Sequence, residues 1–133
     1  MSKTKEKMNQ QIEKILEVLR SFNIPVFEDE VAEDIQEQFK KDGHHFFVYS
    51  TGDMIRNDDK KSINQDVVIY YYSEKRDDLD ERTVDIITAL SKISLFKFER
   101  TQKQQLKRKD KDSYVDRVVF AYNRKIISGC AEI

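Results

Sequence analysis

Apolar positions along this chain recur at two periods, and the switch between them lays out the fold. Met8, Ile12, Ile15, Leu16, Leu19 and Phe22 share one face at helical spacing, with Gln, Glu, Lys and Arg opposite and no Gly or Pro before Pro25. This predicts an amphipathic helix over about residues 5–22, closed by Asn23-Ile24-Pro25, with Val26-Phe27 opening a short extended segment. Val31, Ile35 and Phe39 are spaced four apart and predict a short second helix ended by Asp42-Gly43. Alternation then takes over. Residues 44–51 read as a strand with Gly52-Asp53 as a turn or bulge, and 56–61 as the polar connection of a long hairpin.

The return arm, Val67-Val68-Ile69-Tyr70-Tyr71-Tyr72, is β-branched or aromatic on both alternating faces, the mark of a central strand covered on both sides. It feeds a helix. Asp78-Leu79-Asp80-Glu81 has the form of an acidic cap with Glu three residues on, and Leu79, Thr83, Ile86, Ile87 and Leu90 follow at helical spacing. Residues 94–99 predict another strand with Phe96 and Phe98 on one side, 100–111 a charged loop, and 114–126 a last strand. In that last strand Val118, Phe120 and Tyr122 alternate with Arg117, Val119 and Ala121.

Adjacent strands joined by polar loops, with a helix before and between them, predict a single α+β domain. Its sheet is antiparallel or mixed, of four to five strands, with two main helices packed on one face. Residues 8–127 form the expected core and 128–133 a flexible tail. Composition changes the picture in one respect: 37% charged residues against 38% hydrophobic ones is polar for a monomer, so part of the surface charge is expected at a partner interface or in a solvated loop. The net charge of −1 gives no whole-surface attraction to nucleic acid or anionic membrane. A single cysteine, Cys130, excludes an internal disulfide and a multi-cysteine zinc site and suits a reducing compartment. The opening MSKTKEKMNQQ lacks the apolar core of a signal peptide, and no apolar run approaches a membrane span, so a soluble cytoplasmic product without a membrane partner is expected.

Candidate chemistry is sparse. Three scattered glycines cannot build a phosphate loop or dinucleotide fingerprint, and no nucleophile elbow is present. His44 and His45 are adjacent, which on a strand sends them to opposite faces and argues against one metal taking both. The element order also resembles that of restriction-like nucleases, with Asp66 and Glu74-Lys75 in the region of their metal site. Adjacent Glu74 and Lys75, however, would point to opposite faces. No catalytic residue, metal ligand or cofactor is assigned, and no enzyme is expected.

Charge is distributed more informatively. Between residues 28 and 37 lie six acids (Glu28, Asp29, Glu30, Glu33, Asp34 and Glu37) and no base, read as a solvated face or an acidic subunit interface. Between 100 and 111 lie six bases (Arg100, Lys103, Lys107, Arg108, Lys109 and Lys111) against one acid, Asp110. Without interleaved aromatics, any contact of this block with DNA would be to backbone phosphates. Two unlike poles on one subunit favour head-to-tail contacts, which close into rings when the rotation permits.

An amphipathic first helix, a two-strand unit ending in VVIYYYSEKRDD, a helix LDERTVDIITAL, then FKFERT, a charged loop and DSYVDRVVFAYNRKI resemble the tail terminator and tail-completion proteins of tailed bacteriophages. The resemblance covers about residues 8 to 127. It implies a structural virion protein of the tail and neck, assembled in the bacterial host cytoplasm. Such a protein forms a hexameric ring on the head-proximal end of the tail tube, stops tube polymerisation and joins tail to head. The implied partners are further copies of the chain, the tail tube protein and the head-side connector protein, with non-specific contact to DNA in the channel. The matching loops are 56–64 and 100–112, and the six bases would face the channel or an acidic partner. The chain departs from the simplest family pattern in its acidic 28–42 segment. A small DNA-backbone-binding module is the alternative reading, and a restriction-like nuclease a remote one.

Overall fold

The computed structural model describes residues 3–31, 33–59 and 61–127. In chain order the elements are α1 (Lys3–Arg20), β1 (Val26–Glu28), α2 (Glu33–Asp42), β2 (His45–Arg56), β3 (Ser62–Ser73), α3 (Leu79–Leu90), β4 (Phe96–Lys107) and β5 (Tyr114–Ile127). The strands form one mixed, open sheet in the order β1-β2-β3-β5-β4, with β1 parallel to β2 and every other pair antiparallel. This is the expected α+β domain. The expected tail 128–133, with Cys130, lies outside the described residues.

Alternation fixes which face is which. Phe47 and Tyr49 of β2, Val67, Ile69 and Tyr71 of β3, and Val118, Phe120 and Tyr122 of β5 form one apolar surface. Ile15, Leu16 and Leu19 of α1 and Ile86 and Leu90 of α3 pack onto it, so both main helices share one face. The other face is covered at one corner only. There Phe46, Val48 and Val31 form a second, smaller cluster with Phe27, Phe39, Tyr70 and Tyr72 against α2. Central strand β3 is thus buried from Gln65 to Ser73 on its α1/α3 side, while Val68, Tyr70 and Tyr72 on the other side are half-buried. The length of α2 explains the difference: ten residues cannot cover a five-stranded sheet.

Several boundaries differ from expectation for local reasons. The Gly52-Asp53 bulge forms, because β2 shifts register between Thr51 and Met54 against β3, and β2 then continues to Arg56. The hairpin connection is accordingly 57–61, shorter than the expected loop 56–64; Lys60 lies outside the described residues. The acidic cap of α3 does not close: Asp78 makes no side-chain capping bond, because its carboxylate takes a bidentate pair from Arg76 at 2.7 and 2.9 Å.

The largest correction concerns the charged loop. Residues 100–107 belong to β4, paired with β5 through a bulge at Phe98/Arg100 and on to Lys107↔Tyr114. An edge strand exposes side chains beside its free hydrogen-bonding edge, and lysines there are a common guard against edge pairing, so polarity did not exclude a strand.

Gly43 follows α2 at φ +96, its N–H bonded to the Phe39 carbonyl at 2.8 Å, as in a left-handed helix stop. A Cβ added there would meet nothing within 4 Å, so the cost of Gly43→Ala is conformational alone. A loss of about 1 kcal/mol is expected, read as a lower denaturant midpoint at unchanged slope.

Candidate functional site

The two charge blocks are parted only in their first halves: Glu28, Asp29 and Glu30 lie at the β1 edge, whereas Glu33 and Glu37 ride on α2, which packs on the half-open face and meets the basic turn where its Lys40 carbonyl accepts from Arg108. Glu28 ends edge strand β1, and Asp29 and Glu30 follow it, exposed, before α2. The basic block lies on β4, the other edge, and in its turn to β5. Three strands separate β1 from β4, four inter-strand steps of about 4.8 Å or roughly 19 Å between the outermost strand axes.

The acidic edge is locally built. Asp29, at φ +63, turns the chain off the sheet with its N–H on the Tyr49 carbonyl at 2.9 Å. Glu28 accepts a hydrogen bond from the Tyr49 hydroxyl at 2.9 Å. Burial, reinforced by that carboxylate, pushes the Tyr49 phenol up to about 12. Glu30 and Glu33 are exposed, and Glu37 pairs with Lys40 at 2.9 Å. The side chain of Asp34 lies outside the described residues. Beyond Tyr49, the outer side of β2 has no strand against it as far as Arg56, and Met54 and Ile55 are exposed there.

The six bases do not act as one group. Arg100, opposite Ala121, lies on the sheet face away from α1 and α3. Lys103, opposite Val118, reaches the other side to Asp80 in the first turn of α3 at 2.9 Å. Lys107 stands 3.7 Å from Asp112. Lys109 and Lys111 project from the turn, exposed. Arg108 is buried and faces neither channel nor partner: its guanidinium donates to Glu74 at 3.1 Å, to Asp110 at 2.6 Å and to the Lys40 carbonyl of α2 at 2.8 Å.

Around Arg108 the chain has built an internal lock that the sequence did not disclose. Glu74, at the end of β3, also accepts the His44 backbone N–H at 2.8 Å and contacts the His44 ring at Nδ1. Burial pushes the Glu74 carboxyl up, but the His44 hydrogen bonds and the Arg108 charge outweigh it and hold it below the ordinary value. The lock joins the end of α2, the start of β2, the end of β3 and the β4–β5 turn. His45 points the other way, Nε2 to the Tyr71 hydroxyl at 2.9 Å, so the two histidines do part across the strand. Asp66, half of the nuclease-like pattern, bonds Asn123 at 3.2 Å and stands eight residues along β3 from Glu74, roughly 25 Å. Among the described residues no three His, Cys, Asp or Glu side chains stand together as a metal site. No described helix is long and apolar enough to cross a membrane.

Arg117 is a residue that sequence reading placed on a face but gave no role. It lies over the rings of Tyr70 and Tyr72 at 5.6 and 5.8 Å, and its Nε donates to Gln104 at 2.6 Å. It thereby fixes the tyrosine side of the half-open face. No protein-family model matches the chain, and no curated protein matches it.

Proposed function

We propose that this chain is a structural subunit that assembles head to tail into a closed ring, the acidic β1/β2 edge of one copy meeting the basic β4 edge of the next. The observation that carries the reading is the placement of Glu28, Asp29 and Glu30 at one edge of the open sheet and of the β4 bases at the other. Unlike edges make a heterologous contact, and a heterologous contact that closes makes a ring. Charge alone adds little affinity at a surface. The free ladder groups of β4, and of β2 beyond β1, supply directional hydrogen bonds beside it.

The order of elements, which resembles that of phage tail terminators, supports the particular assembly. In this reading the ring is a hexamer that sits on the head-proximal end of a tail tube, stops its growth and presents its other side to the head connector. Arg100, Lys103, Lys107 and Lys109 form the basic contact surface, while Lys111 turns to the strand end beside Ser73 and Lys75 and stays out of it. Arg108 is left out of that surface because its charge is consumed inside the fold.

Charge exchange tests the contact. Glu30→Lys with Glu33→Lys makes the acidic edge basic, and Arg100→Glu with Lys107→Glu makes the basic edge acidic. Each doubly substituted protein alone is expected to lose assembly, and an equimolar mixture to regain it, since the reversed edges match each other. Failure of the mixture to assemble, or assembly by either variant alone, contradicts the proposed contact.

A further inference from the structure

At the end of the sheet where β2 begins and β3 finishes, a pocket opens away from both edges. Its walls come from segments distant in sequence: Lys41 in the last turn of α2, His45 at the start of β2, Ser73, Lys75 and Arg76 after the tyrosine run, and Lys111 in the β4–β5 turn. Glu74 borders it too, but its carboxylate is occupied by His44 and Arg108. Arg76 is likewise held, by Asp78 at 2.7 Å.

Lys41, Lys75 and Lys111 are different. All three are exposed, and none has an ion-pair partner among the described residues. Three ammonium groups around one pocket repel one another; the nearby carboxylates Glu74 and Asp110 are both already engaged by Arg108. The clustering is local, because the whole chain carries a net charge of −1. Two more features stand in the same wall. Ser73 is 1% exposed and its hydroxyl has no hydrogen-bond partner, although a buried hydroxyl ordinarily finds one. Lys75 holds φ +58, a conformation that costs a residue with a Cβ and that gathers at ligand-binding turns.

We propose that this pocket is a phosphate-binding site, with Lys41, Lys75 and Lys111 neutralising phosphate groups of a nucleic-acid backbone or a free polyphosphate. Ammonium groups on flexible stems bind phosphate as point charges, without the planar geometry an arginine would impose, so the site reads charge and not base sequence. The inference is independent of the ring reading: the pocket lies at a strand end, and the proposed subunit contact runs along the edges.

The test uses the full chain and two probes, a fluorescent random-sequence DNA oligonucleotide followed by polarisation and inorganic tripolyphosphate followed by calorimetry. Both are compared for the native chain, for Lys41→Gln/Lys75→Gln/Lys111→Gln, and for Lys14→Gln/Lys92→Gln/Lys125→Gln, which removes the same charge elsewhere. Loss of the site lysines is expected to weaken binding by on the order of tenfold or more and to lower the salt slope by about two to three, with the control much less affected. Binding of DNA with competition by tripolyphosphate assigns the backbone as the source; binding of tripolyphosphate alone assigns the free polyanion. Absence of binding by both probes, or equal weakening in the two variants, overturns the site. The light-scattering mass of the site variant separates this outcome from failure of the ring: it is expected to equal that of the native chain.

Discussion

Phe120→Ala is expected to lower the stability of the fold by about 3–5 kcal/mol, a large share of the roughly 5–15 kcal/mol a domain of this kind has. Phe120 is fully buried on β5, paired with Ile69 of central strand β3, inside the core that α1 and α3 cover. Truncating it removes the transfer energy of the ring and leaves a cavity that packed elements on both sides cannot fill. β5 also separates β3 from β4, so loosening it weakens the attachment of the whole basic edge. Chemical denaturation measures the loss. Val84→Ala is the matched control: Val84 is 59% exposed on α3, and its truncation is expected to change stability by no more than about 0.5 kcal/mol.

Glu74→Ala is expected to reduce the melting temperature by roughly 10 °C, although it removes no apolar packing. The side chains of Glu74 and Arg108 are 5% and 2% exposed, so deleting the carboxylate leaves a buried cation short of its partner. It also leaves the His44 N–H without its acceptor. Three segments meet at that carboxylate, and Arg108 carries the contact on to α2, so calorimetry should record the fall even though a glutamate just past a strand looks replaceable.

The same residue shapes the acid limb of stability. The Glu74 carboxyl sits below its ordinary value of 4.5 in the fold, so its contribution is present above pH 4.5 and is lost as pH falls through the lower folded value. Glu74→Gln should flatten the stability curve in that window. His45 acts at a separate, higher step. Burial, and then the charges of Arg76 and Arg82, lower its folded value, so stability falls as pH drops below 6.5. A Glu74→Gln curve with a shallower acid step and an unchanged higher step is the expected result, the remaining acid dependence coming from Asp59, Asp78 and Asp110, which are also held below their ordinary values.

The parts of this fold legible in the sequence are those where burial is one-sided and periodic. α1 shows its Ile15, Leu16 and Leu19 stripe, and β5 its Val118, Phe120 and Tyr122 row, because each buries one face against a single neighbour. β4 was illegible as a full strand because beyond Phe98 it pairs on one side only and is polar on both faces. The residues of the two charge blocks could be read directly. The placement of Glu28, Asp29 and Glu30 and of the β4 bases on opposite edges could not, since it depends on β5 inserting between β3 and β4. Arg108 shows the limit most clearly. Its partner Glu74 lies 34 residues away, and no local pattern distinguishes a buried arginine from the exposed lysines around it. The pocket was hidden for the same reason, its lysines being brought together by the meeting of α2, the β3–α3 turn and the β4–β5 turn.

The most direct measurement is the mass of the purified chain by light scattering, across concentration and at low and moderate salt. Electrostatic contacts at exposed edges weaken as the screening length shortens, so a discrete hexamer at low salt that dissociates as salt rises is the predicted result. A strict monomer at every concentration and salt level would contradict self-assembly through opposed charged edges.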